Sequence, residues 1–95
     1  MSEIVVREVK SGEELFEYEV EVRESGSTSL YAVAVQREDY EKLTVGGRVS
    51  PDALVEKSFE FLLEREPKES ILKNFNLNII SHYFREYPSK IKDYF

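Results

Sequence analysis

The chain has 95 residues, no cysteine and a net charge of −6 at pH 7. The length fits a single domain, residues 1–95, and the missing cysteine excludes disulfides, thiolate metal sites and cysteine nucleophiles. The first residues lack the pattern of a signal peptide, and no apolar run approaches the roughly 20 residues that span a bilayer. We therefore expect a soluble, cytoplasmic protein with no membrane partner.

The charge is unevenly distributed along the chain. Residues 1–66 carry 16 acidic and 8 basic side chains, whereas residues 67–95 carry 3 acidic and 5 basic ones. An acidic body repels phosphates, so we expect no nucleic-acid partner. The basic C-terminal third nevertheless leaves one alternative open, which is considered below.

The first 36 residues have the pattern of β-strands. Residues 3–9 are rich in β-branched side chains, and residues 15–23 and 30–36 alternate between two faces with a period of two. Short turns between them favour antiparallel neighbours, so we predict a three-stranded antiparallel β-meander over residues 3–36. The predicted inner face consists of Phe16, Tyr18, Val20, Val22, Tyr31, Val33 and Val35.

A C-terminal helical layer is predicted at residues 37–44, 51–65, 67–73 and 77–86, which makes the fold class α+β. Gly46-Gly47 should stop the first helix, Ser50-Pro51 should start the second, and Pro88 should end the last. Apolar residues cover about 200° of the long helix, roughly twice the arc of a one-sided surface helix. This width predicts that the helix lies between the sheet and the C-terminal segment.

A resemblance is carried by the segment YEKLTVGGRVSPDALVEKSFEFLLEREPKESIL and the following NFNLNIISHYFREYPSKI. These residues are similar to small uncharacterised prokaryotic proteins of unknown function that share a block close to SFEFLLEREPKESIL. The resemblance spans about the C-terminal two-thirds of the chain. It implies a stand-alone protein, and it carries over no catalytic or binding residue.

Two kinds of polar pattern could indicate a site. His82 lies on the polar face of the last predicted helix, and only Glu86 is placed to orient it, so a solvated residue is favoured. The segment TVGGRVSP has glycines before a helix N-terminus but lacks the spacing of a phosphate-binding loop. We predict no catalytic residue, no cofactor and no metal.

Two acidic rows have an alternative reading as sites for a cation or a basic partner. One follows the second strand, at Glu17, Glu19 and Glu21; the other follows the long helix, at Glu56, Glu60 and Glu64. Carboxylates on a straight strand do not converge on a cation, and an acidic helix face is usually solvated. We therefore favour solvated faces, with Lys90 and Lys92 of the same chain as the alternative partners of the helix row.

The C-terminal aromatic residues are the feature that indicates a function. Aromatic side chains that are exposed together mark interaction surfaces. The sequence predicts a non-catalytic protein–protein interaction or scaffold module, with a homo-oligomer as one form of it. The alternative is a nucleic-acid-associated accessory protein that uses the basic C-terminal third. The predicted interaction surface consists of Tyr83, Phe84, Tyr87, Tyr94 and Phe95.

Overall fold

The computed structural model describes residues 2–45 and 48–95, whose sheet has four strands in the order β1-β2-β3-β4. The three-stranded antiparallel meander is confirmed, and a short fourth strand, which we did not predict, pairs parallel with β3. A three-residue strand gives no periodic signal, so only its pairing with β3 reveals it. The strands are β1 (Glu3–Ser11), β2 (Leu15–Glu24), β3 (Ser27–Gln36) and β4 (Asn74–Asn76).

The β2–β3 hairpin turns through Ser25 and Gly26, whose φ angles are 53° and 78°. Glu24 pairs with Ser27, so the loop has two residues. Positive φ at both positions is typical of a type I′ turn, whose twist matches that of the flanking strands. The predicted inner face is confirmed, because the structure buries Phe16, Tyr18, Val20, Val22, Tyr31, Val33 and Val35.

Four α-helices and three single 3-10 turns follow the meander in the described residues. None of these helices is long and apolar enough to cross a membrane. The predicted stop at Gly46-Gly47 lies outside the described residues. The helices are α1 (Arg37–Leu43), α2 (Pro51–Leu63), α3 (Ile80–Tyr83) and α4 (Tyr87–Lys90), and the 3-10 turns are Lys68–Ser70, Leu77–Ile79 and Ile91–Tyr94.

The two predicted C-terminal helices need correction. The segment 67–73 contains only one 3-10 turn, and the predicted helix 77–86 is divided at Phe84, whose φ of −133° and ψ of 98° are extended. Pro88 does not end a helix but lies in the first turn of α4, where its missing N–H costs nothing. The division allows Phe84 to pack edge-on against Phe61, with ring centroids 5.8 Å apart.

The long helix α2 is buried between the sheet and the C-terminal segment, which confirms the prediction from its wide apolar arc. On one side, the Phe59 ring lies 5.1 Å from the ring of Tyr31 in β3. On the other, the Phe61 ring lies 5.2 Å from that of Tyr87 in α4. The result is a compact α+β domain with a radius of gyration of 12.4 Å.

Candidate interaction groove

An apolar groove of about 150 Å³ lies between the C-terminal end of α2 and the segment 66–84. Tyr83 and Leu72 are 66% and 49% exposed. A space of this volume is large enough for a small aromatic ring. The groove is therefore a place where one apolar side chain of another molecule can be buried. Its lining residues are Leu62, Glu66, Ser70, Ile71, Leu72, Phe75, Ile79, Ile80, Tyr83 and Phe84.

One wall of the groove is positioned by β4 and the turns that follow it. Phe75 is held opposite Val33 by the parallel pairing with β3. The Asn76 side chain then accepts a hydrogen bond of 3.3 Å from the Asn78 N–H and starts the next 3-10 turn. The Asn76 side chain thereby satisfies a free N–H at the start of that turn. The pairing of β4 with β3 and the Asn76 cap together position this wall of the groove.

The other wall depends on a buried lysine, Lys68, which is only 3% exposed. Its ammonium donates hydrogen bonds to Ser27 Oγ at 2.7 Å, Ser29 Oγ at 3.0 Å and Glu69 Oε2 at 2.9 Å. The Tyr31 hydroxyl donates to the Lys68 carbonyl at 2.6 Å. Three of these bonds, those with Ser27, Ser29 and Tyr31, fasten the segment after α2 onto β3. Sequence patterns do not predict this burial, because a lysine is rarely so buried.

A lysine beside serines also invites a catalytic reading, since Ser–Lys pairs occur in acyl-transfer enzymes. A lysine acts as a general base only when its nitrogen has a free lone pair, whereas each hydrogen of the Lys68 ammonium already has an acceptor. The hydrogen bond from Lys68 also holds the pKa of the Glu69 carboxyl below its usual value. The geometry is that of a structural anchor.

The structure corrects the prediction that Tyr87 belongs to an interaction surface. Its side chain is completely buried, and its hydroxyl forms a 2.6 Å hydrogen bond with Ser58 Oγ on α2. This burial raises the pKa of the Tyr87 phenol. Tyr87 is therefore a core residue. It packs on the side of α2 that faces away from the sheet, where the wide apolar arc of the helix would otherwise be exposed to water.

The other four predicted surface residues occupy different places. Tyr83 lies at the rim of the groove and Phe84 forms part of its wall. Tyr94 is half-buried, with its ring 6.1 Å from that of Phe61, and its hydroxyl donates to Glu64. Phe95 is exposed at the C-terminus but does not line the groove. The groove thus joins only two of the five predicted residues.

Several groove residues were missed by the sequence analysis. Leu72 and Ile79 fall within the predicted helices 67–73 and 77–86, yet both line the groove, and Leu72 is 49% exposed. Apolar residues are frequent after Pro67, but their spacing could not tell which of them stay exposed. The exposure follows from the short turns, which a helical pattern does not describe.

A second hollow, of about 410 Å³, lies along the outer face of the sheet. Val9 and Leu30 are its large exposed apolar side chains, and the carboxylates of Glu17 and Glu19 stand beside them. This hollow lies on the face of the sheet, whereas the groove lies between α2 and the segment 66–84. It is a weaker candidate than the groove for holding an apolar side chain.

Two residues of the acidic row on β2, Glu19 and Glu21, are paired with arginine side chains. Arg7 lies 3.2 Å from the Glu19 carboxylate and 3.1 Å from that of Glu21, and Arg23 also bonds Glu21. Hydrogen bonds from Arg23 and Arg7 lower the pKa of Glu21. No group of three or more potential metal ligands is found within residues 2–45 and 48–95. Glu19 and Glu21 are therefore part of a surface ion-pair network.

The acidic row on α2 also finds local partners. Lys57 lies 3.0 Å from Glu60, and Arg65 lies 3.5 Å from Glu64. These ion pairs join Glu60 and Glu64 to neighbours close in sequence, and within residues 2–45 and 48–95 no ion pair links the row to the alternative partners, Lys90 and Lys92. His82 is exposed on α3, as expected for a solvated residue.

The predicted start of the long helix is confirmed. Ser50 Oγ accepts a hydrogen bond of 3.2 Å from the Ala53 N–H, and Pro51 occupies the first helical position. The phosphate-loop reading of this segment depends on Gly46 and Gly47, which lie outside the described residues. Ser50 therefore acts in the structure as a helix cap.

No match to this chain was found among protein-family models, curated proteins or solved structures.

Proposed function

We propose that the protein is a non-catalytic interaction module whose groove binds an apolar side chain of a partner protein. The observation that carries this proposal is the combination of an open, apolar space of about 150 Å³ with the exposed side chains of Leu72 and Tyr83 beside it. Apolar side chains left uncovered around a concave space favour association with another protein. The buried anchor at Lys68 supports it further, because a fixed wall loses little freedom on binding.

The chemistry of the rim indicates the kind of partner. Glu66 is the one charged side chain among the described residues that line the groove. A matching ligand is a peptide segment with an aromatic or long aliphatic anchor next to a lysine or arginine. The absence of cysteine in the sequence suits a partner in a reducing compartment such as the cytoplasm.

The nucleic-acid alternative has less support than the groove. It relies on the basic residues of the C-terminal third, of which Lys68 is buried by its bonds to serine and glutamate. Lys73 lies with its ammonium 4.9 Å from the Tyr31 ring. Phosphate binding needs clustered and accessible cationic side chains. Because Lys68 is buried and not available to phosphates, the nucleic-acid alternative is weakened.

The proposal is tested by selecting binding peptides from a random peptide library displayed on phage, with the purified protein as bait. We expect the selected peptides to share an apolar anchor next to a basic residue. A selected peptide, synthesised and titrated by calorimetry, should bind Tyr83→Ser and Leu72→Ser about tenfold more weakly than the unchanged protein. Both positions are exposed, so neither substitution should unfold the chain.

The matched control is Leu30→Ser, which removes an exposed leucine of similar accessibility from the outer face of the sheet. Binding of the selected peptide should be unchanged in this variant. Peptides that bind Tyr83→Ser as tightly as the unchanged protein, or that lose affinity only in Leu30→Ser, would reject the groove as the binding site.

A further inference from the structure

The strand β1 forms a long free edge of the sheet. Its nine residues pair only with β2 among the described residues, whereas the opposite edge is the three-residue β4. Ile4, Val5 and Val6 remain partly exposed along this edge. A regular edge strand presents unpaired N–H and C=O groups, which are a template for pairing with another strand.

We propose that two copies of the protein associate through β1, in antiparallel pairing about a two-fold axis at Val5. In this register Glu3 of each copy faces Arg7 of the other, Ile4 faces Val6, and Val5 faces its own equivalent. The segment Glu-Ile-Val-Val-Arg is thereby complementary to itself, with an apolar centre and an ion pair at each end. A two-fold interface requires this kind of self-complementarity.

Other registers lack this match. The two-fold axis must pass through a residue of β1. Only then do paired residues of the two copies project to the same face of the joined sheet. An axis at Arg7 places two arginines opposite each other, and an axis at Val6 places Arg7 opposite Val5 and Glu8 opposite Ile4. Opposite charges across paired strands stabilise the pair and like charges destabilise it, so the axis at Val5 is favoured.

The remaining features of β1 agree with a five-residue pairing. The strand is irregular between Glu8 and Lys10, so regular pairing ends just beyond Arg7. On the outer face, Arg7 already lies within 3.2 Å of Glu19, and Arg23 lies 3.5 Å from Glu3. Glu21 already connects Arg7 and Arg23 within one copy, and the new ion pairs would join this network to that of the other copy across the axis.

The dimer would be a continuous eight-stranded sheet. Because β4 contributes Phe75 to the groove and forms the edge opposite β1, each groove stays away from the paired strands. One dimer would present two grooves, which increases its apparent affinity for a partner that carries two anchors. The pairing does not depend on what the groove binds.

The test is charge reversal, followed by sedimentation equilibrium over the micromolar range. The unchanged protein should sediment as a dimer, with twice the 11.1 kDa mass of the chain. Glu3→Arg and Arg7→Glu should each weaken the dimer about tenfold or more, because two ion pairs become two repulsions. The double variant, Glu3→Arg with Arg7→Glu, should recover the dimer, because it restores both pairs with their signs exchanged.

Two controls make the outcome specific. Lys10→Glu makes the same charge change on the same strand beyond the irregularity, and it should leave the dimer intact. Tyr83→Ser should also leave it intact, because Tyr83 belongs to the groove. A strict monomer, in which the charges of β1 simply protect the edge, would overturn the proposal. So would a double variant that stays monomeric while circular dichroism shows the fold retained, or a dimer lost only in Tyr83→Ser.

Discussion

The meander and the segment 64–95 are held in place by different means. In the meander, strand pairs extend over ten residues of β2 and β3, and each residue adds to one continuous ladder. In the C-terminal segment, no helix of the described residues exceeds four residues, so the turns rely on isolated backbone hydrogen bonds and on side-chain bonds to the rest of the molecule. The comparison shows that regular structure spreads its stability, whereas irregular structure concentrates it at a few anchors.

These anchors join the segment to the rest of the molecule. Lys68 is bonded to the start of β3, and Tyr87 is bonded to Ser58 of α2. The guanidinium of Arg65 lies 3.6 Å from the centre of the Phe61 ring, a cation–π contact. The groove depends on these contacts, because its walls are the turns that they hold.

The largest effect should come from the inner face of the meander. Val20→Asp would bury an unpaired carboxylate where the side chain has no exposure, at a cost of several kcal/mol against a total stability of roughly 5–15 kcal/mol. We expect this variant to be unfolded by circular dichroism. Its neighbour Glu19 points to the outer face, and Glu19→Ala should change stability by less than about 1 kcal/mol. Similar effects of the two substitutions would contradict the assigned strand faces.

A smaller and more local effect is expected at the Lys68 anchor. Lys68→Ala removes three side-chain hydrogen bonds, one of them to the buried Ser29 hydroxyl, which should cost about 2–3 kcal/mol in urea unfolding. Hydrogen exchange should show faster opening of residues 68–76 than of β2. The control Lys90→Ala changes an exposed lysine and should have little effect. Uniform loss of protection across the sheet would show that the segment does not open separately.

The smallest effect should be a pH dependence at Glu69. Its pKa is lowered in the folded protein by the hydrogen bond from Lys68, so its contribution is present above the unfolded pKa of about 4.5 and is lost as the pH falls through the folded pKa. The difference in urea midpoint between the unchanged protein and Glu69→Gln should therefore be larger at about pH 7 than at about pH 3. Glu41→Gln, on the exposed side of α1, serves as the control. If the urea midpoints of the unchanged protein and Glu69→Gln differed equally at both pH values, the ionisation of Glu69 would not contribute to stability.

The sequence by itself determined the meander, its inner face and the start of α2. Alternation with a period of two assigns strand faces without reference to the rest of the chain, and a serine followed by proline caps a helix through its own atoms. It also predicted that α2 is covered on two sides, because an apolar arc of that width cannot face water. These are local signals, which need no partner distant in the sequence.

Only the tertiary structure decided the burial of Lys68 and Tyr87, the pairing of β4 and the place of the groove. Lys68 is separated from Ser27 by 41 residues, and Tyr87 from Ser58 by 29. Whether a polar side chain is buried depends on whether distant acceptors meet it, and a linear pattern does not contain that information. For the same reason, the sequence could name Tyr83 and Phe84 as members of an interaction surface but could not bring Leu72 and Ile79 beside them.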